Sequence, residues 1–406
     1  MIKLGVIANE FLDASIGRMG GFGWAARQLG NVFGPDGPSG VEVVFLSGEH
    51  FASDERDVIE SQGTRLLLRR GRRHWYRSFQ AARKEKIDVL LSIDYRPSYD
   101  FWFWTLPRTP VIVWARDPRT QADVDRINTL RLPGQDDVMP EGVGKIDCTG
   151  LARVVKRSSY IKRPVVVAHK MPHLAKKTTE TYGFAGQSFV LPNPDVVDYT
   201  AARRPKSEHP SVVYLGRLDP IKRPWLFMEL ARAFPDVEFI ALGQAHFDGE
   251  SGWQPENVPS NVRLMGHVGG PEKLDILASA WVLVNTSIYE EAPVSVFEAL
   301  AYETPVLSCT DWGDVASRFG VYVGEHNRTG LDALPELRSG LNRLITNNEW
   351  RQELGRTGRA YVEQTHSNEA FLSSFASLCR HLGVKSPIFR RSLTMTVVEE
   401  RAHTLA

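Results

Sequence analysis

The 406-residue chain carries a net charge of +1, with 42% hydrophobic and 24% charged residues. That length exceeds one ordinary core and suits two of about 200 residues each, at the composition of a soluble globular protein. The near-neutral total covers an asymmetry. Residues 1–195 hold 28 Lys and Arg against 22 Asp and Glu, and the remainder 21 against 26. So slight an imbalance is no nucleic-acid signature. Cys148, Cys309 and Cys379 lie far apart without metal-ligand spacing, which points to a reducing compartment. Met1–Ala8 reads as a first strand rather than a signal peptide. No apolar run approaches the roughly 20 residues of a membrane-spanning helix. A cytoplasmic protein is expected.

In chain order, strands are predicted at Lys3–Ala8, Val41–Leu46, Asp88–Ile93, Val111–Trp114, Val165–Ala168 and Ser188–Leu191. Helix-period stretches separate them near Phe22–Val32, Tyr76–Lys86, Ala122–Leu130 and Pro172–Thr181. Ala201–Pro210, polar and carrying two prolines, marks a boundary. The alternation then repeats, with strands at Val212–Gly216, Val237–Leu242, Val262–Met265, Trp281–Asn285, Pro305–Ser308 and Val321–Val323. Helices fall near Pro224–Ala233, Pro271–Ala280, Val294–Ala301 and Asp314–Phe319. After about Leu331 the pattern is helical only: Leu331–Ile345, Glu349–Gln364 and Glu369–Leu382. This predicts an α/β chain of two Rossmann-like domains, each a parallel sheet covered on both faces. The expected domains are 1–200 and 211–382, joined by a linker at 201–210 and followed by a tail, 383–406, packing back on the first.

Ligands of open parallel sheets bind beyond the carboxyl ends of the strands, so the residues there carry the chemistry. After Trp281–Asn285 comes Tyr289-Glu-Glu-Ala-Pro-Val-Ser-Val-Phe-Glu298. Glu290 falls in the loop beside a helix start. Glu298, four residues after Val294, falls on the buried face, where a charge needs a partner. Open amides at a helix N-terminus suit a phosphate. Together these features fit a nucleotide-sugar site, although each Glu alone also fits a solvated loop residue or a satisfied core residue. After Val212–Gly216 comes Arg217-Leu-Asp-Pro-Ile-Lys222. Arg217 can grip phosphate oxygens in a fork while Lys222 acts as a point charge. Taken alone, they are equally two solvated loop cations.

Gly216-Arg-Leu-x-x-x-Lys222, Met265-Gly-His-Val268 and Ser287-x-Tyr-Glu-x-Ala-Pro-Val-Ser-Val-x-Glu-Ala-Leu-Ala-x-x-Thr-Pro-Val306 follow in that order. The series resembles the donor half of a family 4 (group 1) glycosyltransferase. Val190-Leu-Pro-Asn-Pro-Asp195 resembles, more loosely, that family's segment before the linker. The resemblance implies a GT-B fold, two Rossmann-like domains with parallel sheets facing a central cleft, and sugar transfer with retention of configuration. The donor would be a nucleoside-diphosphate sugar of UDP, GDP or ADP type, and the acceptor a sugar, lipid-linked or other hydroxyl. Arg217 and Lys222 would neutralise the diphosphate, following Gly216. Glu298 would bind the ribose hydroxyls and Glu290 the transferred sugar. The amides around Val294, Ser295 and Val296 would meet phosphate, and Gly266, His267 and Val268 would lie beside the base. No metal or cofactor is implied, because the two cations do that work. The final helical segment would cross back to the first domain.

In the first half, Met19-Gly20-Gly21-Phe-Gly23 precedes a helix. Such a turn lets backbone approach a ligand closely, and the resemblance places it over the donor phosphates. Arg116-Asp117 stands where the family has His. Asp117 is either the group that takes the acceptor's proton or a turn residue before Pro118. His169, just after a strand, is either a cleft residue or a structural one. Two departures, Glu303 for Gly and Thr310-Asp-Trp-Gly-Asp314 for a Gly-Gly loop, are expected to alter the donor pocket. Arg69–Arg77, basic with Trp75 and Tyr76, fits either an anionic membrane surface or phosphorylated acceptor or a solvated face. Tyr95–Trp104 is aromatic enough to stack on sugars or to pack in a core. The reading is a cytoplasmic hexosyltransferase of polysaccharide or glycolipid assembly. A GT-B nucleotide-sugar epimerase and an inactive GT-B scaffold are its rivals.

Overall fold

Runs of apolar residues without polar alternation become strands buried on both faces, as every residue of Val89–Ile93, Val111–Ala115 and Val282–Asn285 is. The computed structural model describes residues 2–10, 21–33, 40–50, 56–61, 63–71, 73–135, 149–183, 187–194, 204–245 and 253–384. The first sheet contains β1 (Ile2–Ala8), β2 (Val41–His50), β3 (Val58–Ser61), β4 (Thr64–Arg69), β5 (Val89–Ile93), β6 (Val111–Ala115), β7 (Val165–His169) and β8 (Ser188–Val190). Between them run α1 (Gly21–Phe33), α2 (Trp75–Glu85), α3 (Asp100–Thr105), α4 (Gln121–Ile127), α5 (Thr149–Tyr160) and α6 (Leu174–Tyr182).

The second sheet contains β9 (Ser211–Leu215), β10 (Glu238–Leu242), β11 (Val262–Gly266), β12 (Val282–Asn285), β13 (Val306–Ser308) and β14 (Gly320–Tyr322). Its helices are α7 (Pro224–Arg232), α8 (Gly270–Ser279), α9 (Val294–Ala301) and α10 (Val315–Arg318). The chain closes with α11 (Leu334–Thr346), α12 (Asn348–His366) and α13 (Asn368–His381).

The first sheet runs in the order β3-β4-β2-β1-β5-β6-β7-β8 and the second β11-β10-β9-β12-β13-β14. In each, the strand order reverses beside its first strand: between β1 and β5, and between β9 and β12. Ligands of such sheets sit at the carboxyl side of that reversal. The expectation of purely parallel sheets fails at one edge. There β3 pairs antiparallel with β4 across a turn at Gly63, whose φ is +72°. Glu60 and Arg65 interrupt the apolar runs of those two strands, which is why they escape a reading based on unbroken hydrophobicity.

Apolar clusters cover both faces of each sheet. One face of the first sheet packs against α1 and, unexpectedly for the 211–382 grouping, against Phe371, Phe375, Leu378, Cys379 and Leu382 of α13 and its end. Phe33 lies 5.7 Å from Phe371 and 5.1 Å from Phe375, ring centre to ring centre. Residues 368–382 therefore belong to the first core, through the crossing helix that the family resemblance implies. The tail from 385 onward lies outside the described residues. Two first-half segments pack the other way. Ile127, Leu130 and Leu132 enter one face of the second core, and Met171 and Leu174 the other.

Most of the aromatic segment is core: Tyr95, Tyr99, Trp102 and Phe103 are fully buried, while Trp104 is exposed. Within the basic stretch, Arg69 donates to Ser98 O at 2.6 Å, and Arg77 pairs with Asp57 at 2.6 Å. Trp75 and Tyr76 are exposed, and Arg72 lies outside the described residues. No described helix is long and apolar enough to cross a membrane.

Phe371→Ala removes a ring that α1 and β6 both pack against. It is expected to cost about 3–5 kcal/mol, read by urea denaturation. A loss below about 1 kcal/mol would show that α13 is dispensable to the first core.

Candidate active site

The carboxyl ends of strands from both sheets open on one cleft of about 730 Å³. From the first sheet it receives Glu10 after β1, Arg96 after β5, Arg116 and Asp117 after β6, and Lys170 after β7. From the second it receives Gly216 and Arg217 after β9, Gly243 after β10, His267 and Val268 after β11, and the Tyr289–Glu298 segment after β12. Gly243 is obligatory here. A Cβ on it would stand 1.9 Å from Gly216 O, and its φ is +151°. Only glycine lets β10 end against the Arg217 loop.

On the second wall every cation has an acidic partner. Lys222 pairs with Glu290, which also accepts from Ser287 Oγ at 3.2 Å. Arg217, 47% exposed in its side chain, reaches the buried Asp219 at 2.9 Å. Lys273 Nζ lies 2.7 Å from Glu298, a residue only 4% exposed. Burial pushes the Glu298 carboxyl above its usual range, and Lys273 opposes that shift. This is the partner that a buried Glu298 requires. Pro293 precedes α9, and Val294 and Ser295 of its first turn face the cleft. Val296 does not. Its side chain is fully buried and its N–H donates to Pro293 O at 3.1 Å.

On the first wall, the Glu10 carboxylate accepts from the amides of Phe22 (3.1 Å) and Gly23 (2.8 Å) at the start of α1. An anion thus already occupies that helix N-terminus. Gly21 lines the cleft, while Gly20 lies outside the described residues. Arg116 is buried, donates to Asn193 Oδ1 at 2.7 Å, and stands 4.4 Å over the Trp114 ring. Burial lowers its guanidinium to about 10. Asp117 is held by Arg119 at 2.6 Å. Lys170 donates to Ala292 O across the cleft at 3.2 Å, and burial, aided by Arg116, lowers its ammonium to about 8.

The structure gathers Gly21, Arg116, Asp117, Gly216, Arg217, Lys222, His267, Glu290, Val294, Ser295 and Glu298 around one space. It does not bring Gly266 or His169 to the lining. Gly266 instead forms a bend with φ +66°, and its carbonyl accepts from Gly243 N–H at 2.7 Å. His169 is 2% exposed, and burial pushes its imidazole below the usual range. The two departures expected to reshape the pocket also lie elsewhere. Glu303 follows α9 in left-handed backbone (φ +60°), the position after a helix where glycine is favoured. Trp312 is buried in the second core, and its neighbour Gly313 abuts His173.

Sequence reasoning missed Lys170, Lys177, Lys273 and Glu291. Glu291 is buried, pairs with Lys177 at 2.7 Å and accepts from Tyr289 OH. Lys177 also reaches Asp123 at 2.9 Å. Asp123 also closes the capping box with Thr120 at the start of α4. Isolated lysines carry no spacing signal. Only the doubled acid at 290–291 offered a hint.

Lys273→Met leaves the Glu298 charge buried alone and is expected to destabilise by about 3 kcal/mol. The double variant with Glu298→Gln is expected to recover most of that loss in equilibrium unfolding. Strict additivity of the two single changes would mean that the pair is not coupled.

Comparison with known proteins follows the same division. Residues 198–361 match the family described as Glycosyl transferases group 1. No curated protein sequence matches significantly. Among solved structures, sucrose-phosphate synthase from Thermosynechococcus elongatus aligns at 19% identity over 94% of this chain and 99% of its own, with a TM-score of 0.64. The Anabaena protein HepE in complex with UDP-glucose aligns at 12% identity over 94% and 100%, with a TM-score of 0.65. WaaG, a glycosyltransferase involved in lipopolysaccharide biosynthesis, aligns at 13% identity over 93% and 99%, with a TM-score of 0.59. The match to the group 1 glycosyl transferase model is confined to residues 198–361, and the chain as a whole has the GT-B fold of these solved structures.

Proposed function

We propose that the protein transfers a hexose-type sugar from a nucleoside-diphosphate sugar to a hydroxyl acceptor, with retention of configuration, in cell-surface polysaccharide or glycolipid assembly in the cytoplasm. The observation that carries this reading is the convergence of Arg217, Lys222, Glu290 and Glu298 with the first turn of α9 on one cleft. Solved relatives in complex with UDP-glucose and with UDP and glucose support the donor class. In this reading Arg217 and Lys222 hold the diphosphate, the amides of Val294 and Ser295 add their dipoles, and Glu298 takes the ribose hydroxyls. His267 and Val268 lie beside the base. Glu290 contacts the sugar.

As the bond from the anomeric carbon to the diphosphate breaks, negative charge gathers on the leaving oxygen. Fixed cations and amide dipoles stabilise that charge without reorganising. The acceptor hydroxyl bonds to the anomeric carbon on the face the diphosphate leaves, and its proton passes to the departing phosphate oxygen. Lys222 has to give up Glu290 to serve the phosphate, and the incoming diphosphate offers it a stronger partner. This charge neutralisation needs no metal.

Thermal-shift measurements with UDP-, GDP- and ADP-sugars are expected to show stabilisation by one nucleotide class. Lys222→Ala is expected to weaken that ligand by about tenfold or more, the value of a charge-assisted contact. Unchanged affinity in Lys222→Ala would remove Lys222 from the site. Retention is tested separately, by the anomeric coupling constant of the product in proton NMR. An inverted product would overturn that part of the reading.

A further inference from the structure

The two walls of the cleft differ in how their charges are satisfied. On the second wall Arg217, Lys222 and Lys273 each have a carboxylate in contact. On the first wall Arg116 and Lys170 have none within ion-pair distance among the described residues. Their polar contacts are neutral oxygens, Asn193 Oδ1 for Arg116 and Ala292 O for Lys170. Both are more than nine-tenths buried, at 3% and 8% exposed, and both line the cleft. They lie at the ends of adjacent strands β6 and β7, close enough for each other's charge to be felt. Asp94, Glu10 and Asp117 act on Arg116, and Asp117, Glu291 and Glu290 on Lys170, only at longer range, with Glu291 paired to Lys177 and Glu290 to Lys222. Asp117 is already held by Arg119, and Glu10 by the α1 amides.

Two neighbouring like charges buried without a counter-ion are costly. A dianion between them removes that cost. Each cation keeps unused N–H donors after its one contact, since a guanidinium carries five and an ammonium three. An Arg fork beside a Lys point charge suits a phosphate group. The second wall already supplies Arg217, Lys222 and the α9 amides for a departing diphosphate. The first wall faces them from across the cleft, where an acceptor has to enter.

We propose that Arg116 and Lys170 form the anion subsite for an acceptor that carries a phosphate group. This inference rests on the donor assignment above. Holding the phosphate there fixes the acceptor against the first wall and leaves its hydroxyl free to meet the sugar at Glu290. The pair binds and orients the acceptor and leaves bond-making to the donor wall.

The test is calorimetric titration of inorganic phosphate and of a hexose 6-phosphate into protein saturated with whichever of UDP, GDP or ADP it binds. Both probes are expected to bind, while the unphosphorylated hexose binds roughly tenfold more weakly or not at all. Arg116→Gln and Lys170→Gln are each expected to weaken the phosphate probes roughly tenfold or more, and Lys170→Arg to keep them within a few-fold. A purely structural role predicts a lower melting temperature for Lys170→Gln. The subsite predicts an equal or higher one without phosphate, because a lone buried charge has been removed. If Lys170→Gln fails to fold, phosphate binding by Lys170→Arg still decides the matter. Phosphate that binds only the nucleotide-free protein, with both Gln variants losing nucleotide affinity, assigns the two cations to the leaving group and overturns the proposal. Nucleotide binding without phosphate binding overturns it while sparing the donor reading. Failure of all three nucleotides to bind overturns the donor reading itself, and the acceptor assignment with it.

Discussion

The two walls of the cleft are tied at the Tyr289–Pro293 segment by the ion pair of Lys177 with Glu291. Glu291 sits between Glu290 and the start of α9. Lys177 comes from α6 of the opposite domain and is shared with Asp123 of α4. Lys170 adds a second tie one residue further on, at Ala292 O. A buried ion pair is a poor source of net stability, because desolvation consumes most of the attraction. Its value here is positional. The stability of the junction comes from Ile127, Leu130, Leu132, Met171 and Leu174, which bury apolar area in the second core. The ion pair then selects one alignment among those that apolar contact alone would permit.

That arrangement also couples binding to alignment. The Tyr289–Pro293 segment presents Glu290 to one side and Glu291 to the other. Any ligand that draws Lys222 away from Glu290 acts on a loop whose next residue is anchored to the opposite domain. Arg119 and Lys177 both lie over the Tyr289 ring, at 5.4 and 5.3 Å. The loop is therefore clasped from the first domain on its aromatic as well as its acidic residue.

Much of the fold was legible because buried parallel strands read as unbroken apolar runs, and the turn after each is where ligands gather. The β3–β4 edge was not, because strands at a sheet edge carry charges such as Glu60 and Arg65. The gathering of Arg217, Lys222, Glu290 and Glu298 on one cleft was legible because they stand at family spacing within a few short segments. The amides around Val294–Val296 were assigned to phosphate by that spacing; the Val296 N–H donates within the turn instead, to Pro293 O. Lys170, Lys177 and Lys273 were invisible for a different reason. Each is an unremarkable lysine until tertiary folding places it against a carboxylate 25 or 114 residues away or leaves it buried with none. Glu303 was noticed for its place beside the pocket motif, not for its backbone. It stands in the left-handed backbone that closes α9 and does not line the cleft.

The return of α13 to the first core bears on how the protein is made. A ribosome releases the first sheet, α1 and Phe33 long before residues 371–382 exist, so that face of the first sheet emerges without its cover. The second sheet and most of its helices are complete by residue 366 and can consolidate while the earlier face waits. For this chain the usual order of domain completion during synthesis is inverted. The first domain to leave the ribosome is the last to be finished, with Phe33 and Trp114 awaiting the Phe371 ring.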